Sequence, residues 1–556
     1  MLRESGAHRQ KSKPFLSIKG QHLLMNVRIA KDVSTRAQRL KKTSITFPVS
    51  ELSQSDRKAL PKLIKAADLM SEIFLCQVSP ANIKLREDLK SAEDSLSREA
   101  FHYFQVNFGP WDRLSGNEPF IGEERKPPGA GFYPEDMTKD EFQRWIQQHP
   151  EDRTRLTGLY TVIRREGSRL VAVPYAEHYR EFLDPAAKLL TEAAEAVENK
   201  SLQKFLRSRA RAFLTDDYFE SDIDWMDLDS ALEVTIGPYE VYEDAWFGYK
   251  AAFEAFVTMN DAVESAKLKK YASLLPRMEL NLPIPDKYKN TQRGTESPIR
   301  VVNEIYTGGD ARKGIQISAF NLPNDEKVRE AKGSKKVLLK NVMEAKFRSC
   351  LQPIANRLIS KDQLPLVTFQ AYFNEVLFHE LSHGLGPGTI IKPDGTKSEV
   401  RLELKEFYSA IEEAKADAVG LWNIIYMIDT GIIDKRAENE EYVTYVAGKF
   451  RSARFGLHEA HGLGVVLQYS FLKEKGVIRL DAAGRFKVNL NSVRNGVRDL
   501  ANELLMIEAE GNYARAKEFL GEFGKVPKEL DEAMEKVVDL PIDIRPDYEV
   551  LRVVGK

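Results

Sequence analysis

Residues 368–388 read TFQAYFNEVLFHELSHGLGPG, and no other segment restricts the fold as much. Apolar Tyr372, Phe373, Val376, Leu377 and Leu381 return every three or four positions, the pattern of a helix with one buried face. Gly384, Gly386 and Pro387 then stop it. His379 and His383 stand four apart, so both imidazoles leave one face a turn from each other, with Glu380 between them. That geometry lets two nitrogens bind one Zn²⁺ while the glutamate reaches a metal-bound water. A catalytic zinc also wants a third protein ligand and an open fourth position, so a second element must deliver an acid to this helix. The competing explanation is a pair of surface histidines beside an unrelated glutamate.

The best donor is residues 406–421, EFYSAIEEAKADAVGL, a helical pattern carrying Glu412, Glu413 and Asp417. One carboxylate can bind the metal while its neighbours accept the free N–H of each histidine, which orients the rings. A solvated acidic face, with Lys405 and Lys415 as partners, explains the same residues without chemistry. Glu413 follows His379 by 34 residues, on the next helix, and this favours the metal.

The remaining sequence narrows the setting. A chain of 556 residues is too long for one hydrophobic core, and 42% apolar with 30% charged residues describes a globular protein. Lys plus Arg (82) nearly cancels Asp plus Glu (83), so no overall field draws nucleic acid. Cys76 and Cys350 are the two cysteines, far apart, which excludes a disulfide scaffold or a cysteine zinc module and points to a reducing compartment. No apolar run reaches 18 residues; the strongest, such as residues 463–469, is too short to span a bilayer. Residues 1–42 are basic, with only Glu4 and Asp32 acidic. A transit peptide, an over-long start ahead of Met25 and a disordered leader all fit; we read a disordered leader on a cytoplasmic protein.

Apolar periodicity predicts helices over residues 60–75, 177–213, 253–275, 337–359 and 440–472. Strands are expected at residues 169–174, 299–305 and 315–320. Residues 126–134 (KPPGAGFYP) form a turn-rich loop, and residues 281–298 read as a connection between domains or over a cleft. Trp111 and Phe120, in a Gly- and Pro-rich loop, could line a cleft, although burial beneath the loop is the commoner role. The class is α+β, mostly helix.

With these residues in view, the chain resembles the dipeptidyl peptidase III metallopeptidases. That family carries HELLGH and a later EECRAE; here HELSH (His379 to His383) and EEAKAD (Glu412 to Asp417) stand in their places. FNLPNDEKVRE from Phe320, EVTIGPYEVYEDAWFGYKAAFEAFV from Glu233 and EAHGLGVVLQYSFLKEKG from Glu459 resemble further family segments in the same order. The resemblance implies His379, His383 and Glu413 as ligands of one Zn²⁺ per chain, and Glu380 as the base acting on its water. It implies Glu412 and Asp417 as outer carboxylates and His461 as the histidine supporting the transition state. Asn321 and Asn324 would hold substrate backbone, Glu233 would meet its free amino group, and Arg329 and Arg545 would line the cleft.

It also implies two lobes across a wide cleft, one mostly helical and holding zinc, the other mixed with a β-barrel core. The expected partition gives residues 43–254, 300–350 and 541–556 to the mixed lobe. Residues 255–299 and 351–540 go to the catalytic one. The implied activity is release of dipeptides from the free N-terminus of short peptides by a monomer, with no nucleic acid or membrane partner. An aminopeptidase or endopeptidase of different cut, or a non-catalytic peptide binder, are the alternatives.

Two departures stand out. The histidines are four apart rather than five, which needs no helix bulge. Thr235 stands where the family has a tyrosine that helps stabilise the oxyanion, so either Tyr239 or Tyr242 substitutes or that contribution is lost.

Overall fold

The computed structural model describes residues 27–290, 299–392, 394–457 and 460–554. Two separate apolar cores organise it. The first is built around a long helix, α1 (Gln54–Val78), whose start is fixed by Ser53 Oγ accepting the backbone N–H of Asp56 at 3.0 Å. Helix α2 (Arg180–Ala196) covers it, and α3 (Lys200–Thr215) packs on α2 in turn. Residues 177–213, expected as one helical stretch, are divided at Asn199, whose side chain caps α3 through Leu202 N at 2.9 Å.

Against α1 lies a five-stranded sheet: β1 (Leu232–Glu240), β2 (Ala252–Asn260), β3 (Ile299–Gly309), β4 (Ala319–Leu322) and β5 (Lys335–Leu339). The order is β1-β2-β3-β5-β4, antiparallel except for β3 beside β5. This corrects the expected barrel, since β1 and β4 are edges and no ladder joins them. The sheet does curl toward closure: Phe320 on β4 stacks on Phe256 of β2 at 4.4 Å, and Asn324 Nδ2, just past β4, donates to Tyr239 O of β1 at 3.2 Å. But β4 is four residues long and runs into Pro323, which has no N–H to extend a ladder.

The sheet also overturns the helix expected over residues 253–275. Phe253 to Met259 lie in β2, buried on both faces, so apolar residues fall on both sides of the strand, broken only by Glu254 and Thr258, and the run reads like a buried helix. Helix begins only at Ala262. The run 337–359 likewise opens as strand β5 and turns helical at Lys340. Strand Arg169–Pro174 lies where expected, while residues 315–318 precede β4 rather than belong to it.

The second core joins α4 (Phe369–Ser382), α5 (Tyr408–Asp429), α6 (Glu438–Ser452), α7 (Ala460–Glu474) and α8 (Val493–Glu510). Residues 440–472 therefore hold two helices, α6 and α7. At the other end of the chain, Asp543–Tyr548 pairs in parallel with Leu40–Ile45, from Leu40↔Asp543 to Ile45↔Tyr548. Residues 1–26 of the basic leader and 291–298 of the expected connection lie outside the described residues. Trp111 and Phe120 are buried, Phe120 against Tyr103 at 4.9 Å. Among the described residues, no helix is long and apolar enough to cross a membrane.

Candidate metal centre

Helix α4 starts where Thr368 caps Ala371 N and ends with His383 as its last αR residue, so His379 and His383 occupy its final turn. It packs directly on α5 at Gly420, where an added Cβ would lie 3.1 Å from His379 N and from Phe378 C. Gly464 of α7 similarly approaches Ala410 O of α5, where a Cβ would sit at 3.1 Å. Small residues at these two crossings are what let three helices converge on one point.

At that point His379 Nε2 and His383 Nε2 are 3.0 Å apart, and Glu413 Oε2 from α5 is 3.4 Å and 3.9 Å from them. Three donors of a tetrahedral zinc stand ~3.3 Å from one another. The second ring nitrogens point outward to carboxylates: His379 Nδ1 to Asp417 Oδ1 and His383 Nδ1 to Glu412 Oε1, both at 2.7 Å. With Nδ1 holding the proton, each Nε2 presents a lone pair to the centre. Glu413 Oε2 is buried there and accepts no well-formed hydrogen bond. A buried carboxylate oxygen whose neighbours are the ring nitrogens of His379, His383 and His461 fits a cation.

The outer carboxylates are themselves held. Asp417 Oδ2 accepts from Lys449 Nζ at 2.9 Å and Gln468 Nε2 at 2.8 Å; Glu412 Oε1 accepts from Lys415 Nζ at 2.8 Å. Both lysine side chains are buried, at 2% exposure. Burial works against the Asp417 charge, but Lys449 and His379 outweigh it and hold this acid well below the usual range. Glu412 is held down to about 2, again against burial, by Lys415 and His383. Burial opposes the charged form of His379 too, yet Asp417, Glu380 and Glu413 push it up to about 9.

His461, near the start of α7, places Nδ1 2.9 Å from Glu413 Oε2, with its side chain 62% exposed. Among the described residues His379, Glu413 and His461 thus form a candidate metal group, and His383 shares the same focus. A second such group, His149, Glu151 and Asp152, is at the surface, and its histidine packs on Trp145 at 4.2 Å. Glu380 receives Lys336 twice: Nζ donates to its backbone carbonyl and lies 3.8 Å from its Oε2.

The family model for peptidase family M49 matches residues 161–398. The solved structure of DPP III from Caldithrix abyssi is similar at 50% identity with a TM-score of 0.92, covering 94% of this chain and 100% of that one. A protein named Nudix hydrolase 3, from Arabidopsis thaliana, is 40% identical over 92% of this chain and 73% of its own length. The chain belongs to the dipeptidyl peptidase III family. DPP III from Corallococcus sp. strain EGB is a further structural relative, at 41% identity and a TM-score of 0.81 over 94% and 98% of the two chains. As a family member this chain is a zinc metallopeptidase with one ion per chain.

A cavity of about 430 Å³ adjoins the centre, lined by His379, Glu380 and His461 on one side and by Gln316, Ile317 and Ser318 on the other. The residues expected to bind substrate do not line it. Glu233 is buried on β1 with Arg300 Nε 3.6 Å away; burial pushes its carboxyl up, against the pull of Lys335 and Arg300. Asn321 is on β4; Asn324 accepts from Arg329 Nη2 at 3.2 Å. Arg545 borders a different cavity, beside Asp68, Glu72 and Arg312. Thr235 Oγ1 accepts from Trp225 Nε1 at 3.0 Å; Tyr239 is buried and Tyr242 exposed. Sequence reasoning missed Lys449, Gln468 and Lys336 and took Lys415 for a surface partner. The signal for Lys415 is a lone cation between alanines, three residues from a paired acid.

Proposed function

We propose that this chain removes dipeptides from the unblocked N-terminus of short peptides, with His379, His383 and Glu413 holding zinc. The observation that carries the assignment is the triangle of three donors at 3.0, 3.4 and 3.9 Å, with each histidine's other nitrogen on a carboxylate. His383 is preferred to His461 as ligand because its Nδ1 is engaged by Glu412 while its Nε2 stays free. His461 instead directs Nδ1 at Glu413.

When bound, zinc supplies the Lewis acidity that polarises a carbonyl and acidifies water. Glu380 then takes the proton of the attacking water and returns it to the leaving amine, a role worth roughly 10²–10⁴-fold. Lys336 holds Glu380 in place. The exposed edge of His461 offers a donor to the developing oxyanion. Glu233 Oε1 and Asn321 Oδ1 are buried acceptors with no hydrogen-bond donor, which suits an incoming ammonium with three donors. Asn324, Arg329 and Arg545 complete the proposed substrate groups. The two free thiols, Cys76 and Cys350, suit a reducing compartment.

Metal analysis alongside dipeptidyl-naphthylamide hydrolysis, with and without chelator, tests the reading. A heptapeptide offered unblocked and N-acetylated tests the cut: dipeptide release from the unblocked form alone is expected. Glu380→Gln is expected to keep zinc and lose at least a hundredfold in kcat. Activity that survives metal removal, or an equal rate on the acetylated peptide, contradicts it.

A further inference from the structure

The catalytic cavity has two chemically different ends. One holds His379, Glu380 and His461; the other is reached along α4, through Val376 to Tyr372. Tyr372 precedes His379 by seven residues, about 10 Å along a helix axis. At that end two cations border the cavity, Lys346 and Arg451, with side chains only 3% and 10% exposed. The acid facing both is buried Asp543, with Oδ2 3.4 Å from Lys346 Nζ and Oδ1 3.6 Å from Arg451 Nη2.

These pairings leave positive charge over. Asp543 Oδ2 already accepts the backbone N–H of Gln316 at 2.9 Å. Arg451 Nε is buried with no hydrogen-bond partner. The titratable neighbours supply no second anion: burial pushes the Cys350 thiol up to about 11 and raises the Tyr372 phenol as well. Glu375, the next acid along the cavity, is pushed up by burial to about 8 and faces Lys449 at 3.7 Å. Lys346 Nζ also donates to Gln316 O, a neutral partner, so two buried cations against one acid leave a site that a small planar anion completes, and a carboxylate matches a guanidinium best.

We propose that Arg451 and Lys346 anchor the C-terminal carboxylate of the peptide substrate. The inference rests on the dipeptidyl peptidase reading. An extended chain advances about 3.3 Å per residue, so the distance from the zinc donors corresponds to about three residues beyond the scissile bond. The anchor therefore favours peptides of about five residues with a free C-terminus. It ties substrate length to the end of α6, which carries Arg451.

The test compares kcat/KM for one pentapeptide as free acid and as C-terminal amide, in the wild type, Arg451→Met, Arg451→Lys and Lys346→Met. The wild type is expected to prefer the acid about tenfold, the loss associated with one hydrogen bond to a charged group. Arg451→Met and Lys346→Met are expected to move the ratio toward one, and Arg451→Lys to keep part of the preference. Because the ratio is taken within each enzyme, a general folding loss cancels. Dipeptide release at equal rates from acid and amide in the wild type overturns the anchor alone, as does a ratio unchanged in both methionine variants. Release of no dipeptide from either peptide overturns the anchor together with the reading beneath it.

Discussion

His379 Nε2 and His383 Nε2 face each other at 3.0 Å, each ring backed through Nδ1 by its own carboxylate. Two lone pairs cannot sit that close without a proton or a metal ion between them, so zinc displaces a proton here and its binding is coupled to the fold. Saturating zinc is expected to raise Tm over the chelated protein, with about 4 kcal/mol at a thousandfold excess over Kd. His383→Ala abolishes that rise. Differential scanning calorimetry with and without chelator measures it; a Tm indifferent to zinc contradicts the coupling.

Lys449 is the least expected member of the site. Its ammonium is buried on Asp417, and Lys449→Met leaves that carboxylate facing His379 without its counter-charge. Zinc affinity is expected to fall about 10- to 100-fold, with roughly 3 kcal/mol lost in stability. Lys449→Arg recovers part of both. Competition against a chromophoric chelator reads the first effect and urea unfolding the second.

Glu441 gives the protein a pH dependence of its own. Burial pushes this carboxyl up to about 8, with nearby Glu375 adding to the shift and the Asn374 amide, 2.7 Å away, only partly opposing it. Its unfolded value is about 4.3. The unfolded chain releases this proton from about pH 4.3 upward while the folded protein keeps it to about 8. Glu441 therefore lowers stability progressively across that interval. Glu441→Gln is expected to flatten the decline and to stabilise the protein by about 2–4 kcal/mol at pH 8, with little effect at pH 4. Denaturant melts at the two pH values decide it, and a gain confined to pH 4 reverses the sign and refutes the argument.

Thr235 is a structural partner in this fold. Its hydroxyl accepts from the buried Trp225 indole, so Thr235→Val strands that N–H at a cost of about 1–3 kcal/mol. Lower stability with kcat/KM on a dipeptidyl-naphthylamide within twofold of wild type is the expected outcome. A hundredfold loss of kcat without a change in Tm would return Thr235 to the chemistry.

The metal helix was legible because its information is local. Four-residue spacing fixes His379 and His383 on one face whatever surrounds them, and Glu412, Glu413 and Asp417 repeat that logic on α5. The sheet was not. Phe253 to Met259 form a strand buried on both sides, which erases the alternation that would have marked it, and the absent fifth ladder depends on how long β4 is. Lys415 reads as a surface partner of its acidic helix, and Lys449, Lys346 and Arg451 carry no sequence signal that singles them out. The acid beside Lys415 is three residues away, but those of Lys449, Lys346 and Arg451 are distant in the chain, and nothing within a few residues announces them.

Strand Leu40–Ile45 has a bearing on how the enzyme can move. The chain departs for the zinc helices at Asn341, whose side chain donates to Thr46 O at 2.9 Å, and comes home as Asp543–Tyr548 along that same strand. Departure and return are thus moored within a few residues of each other, like the two leaves of one hinge. Loss of the Leu40–Ile45 ladder would therefore release both of these crossings at once.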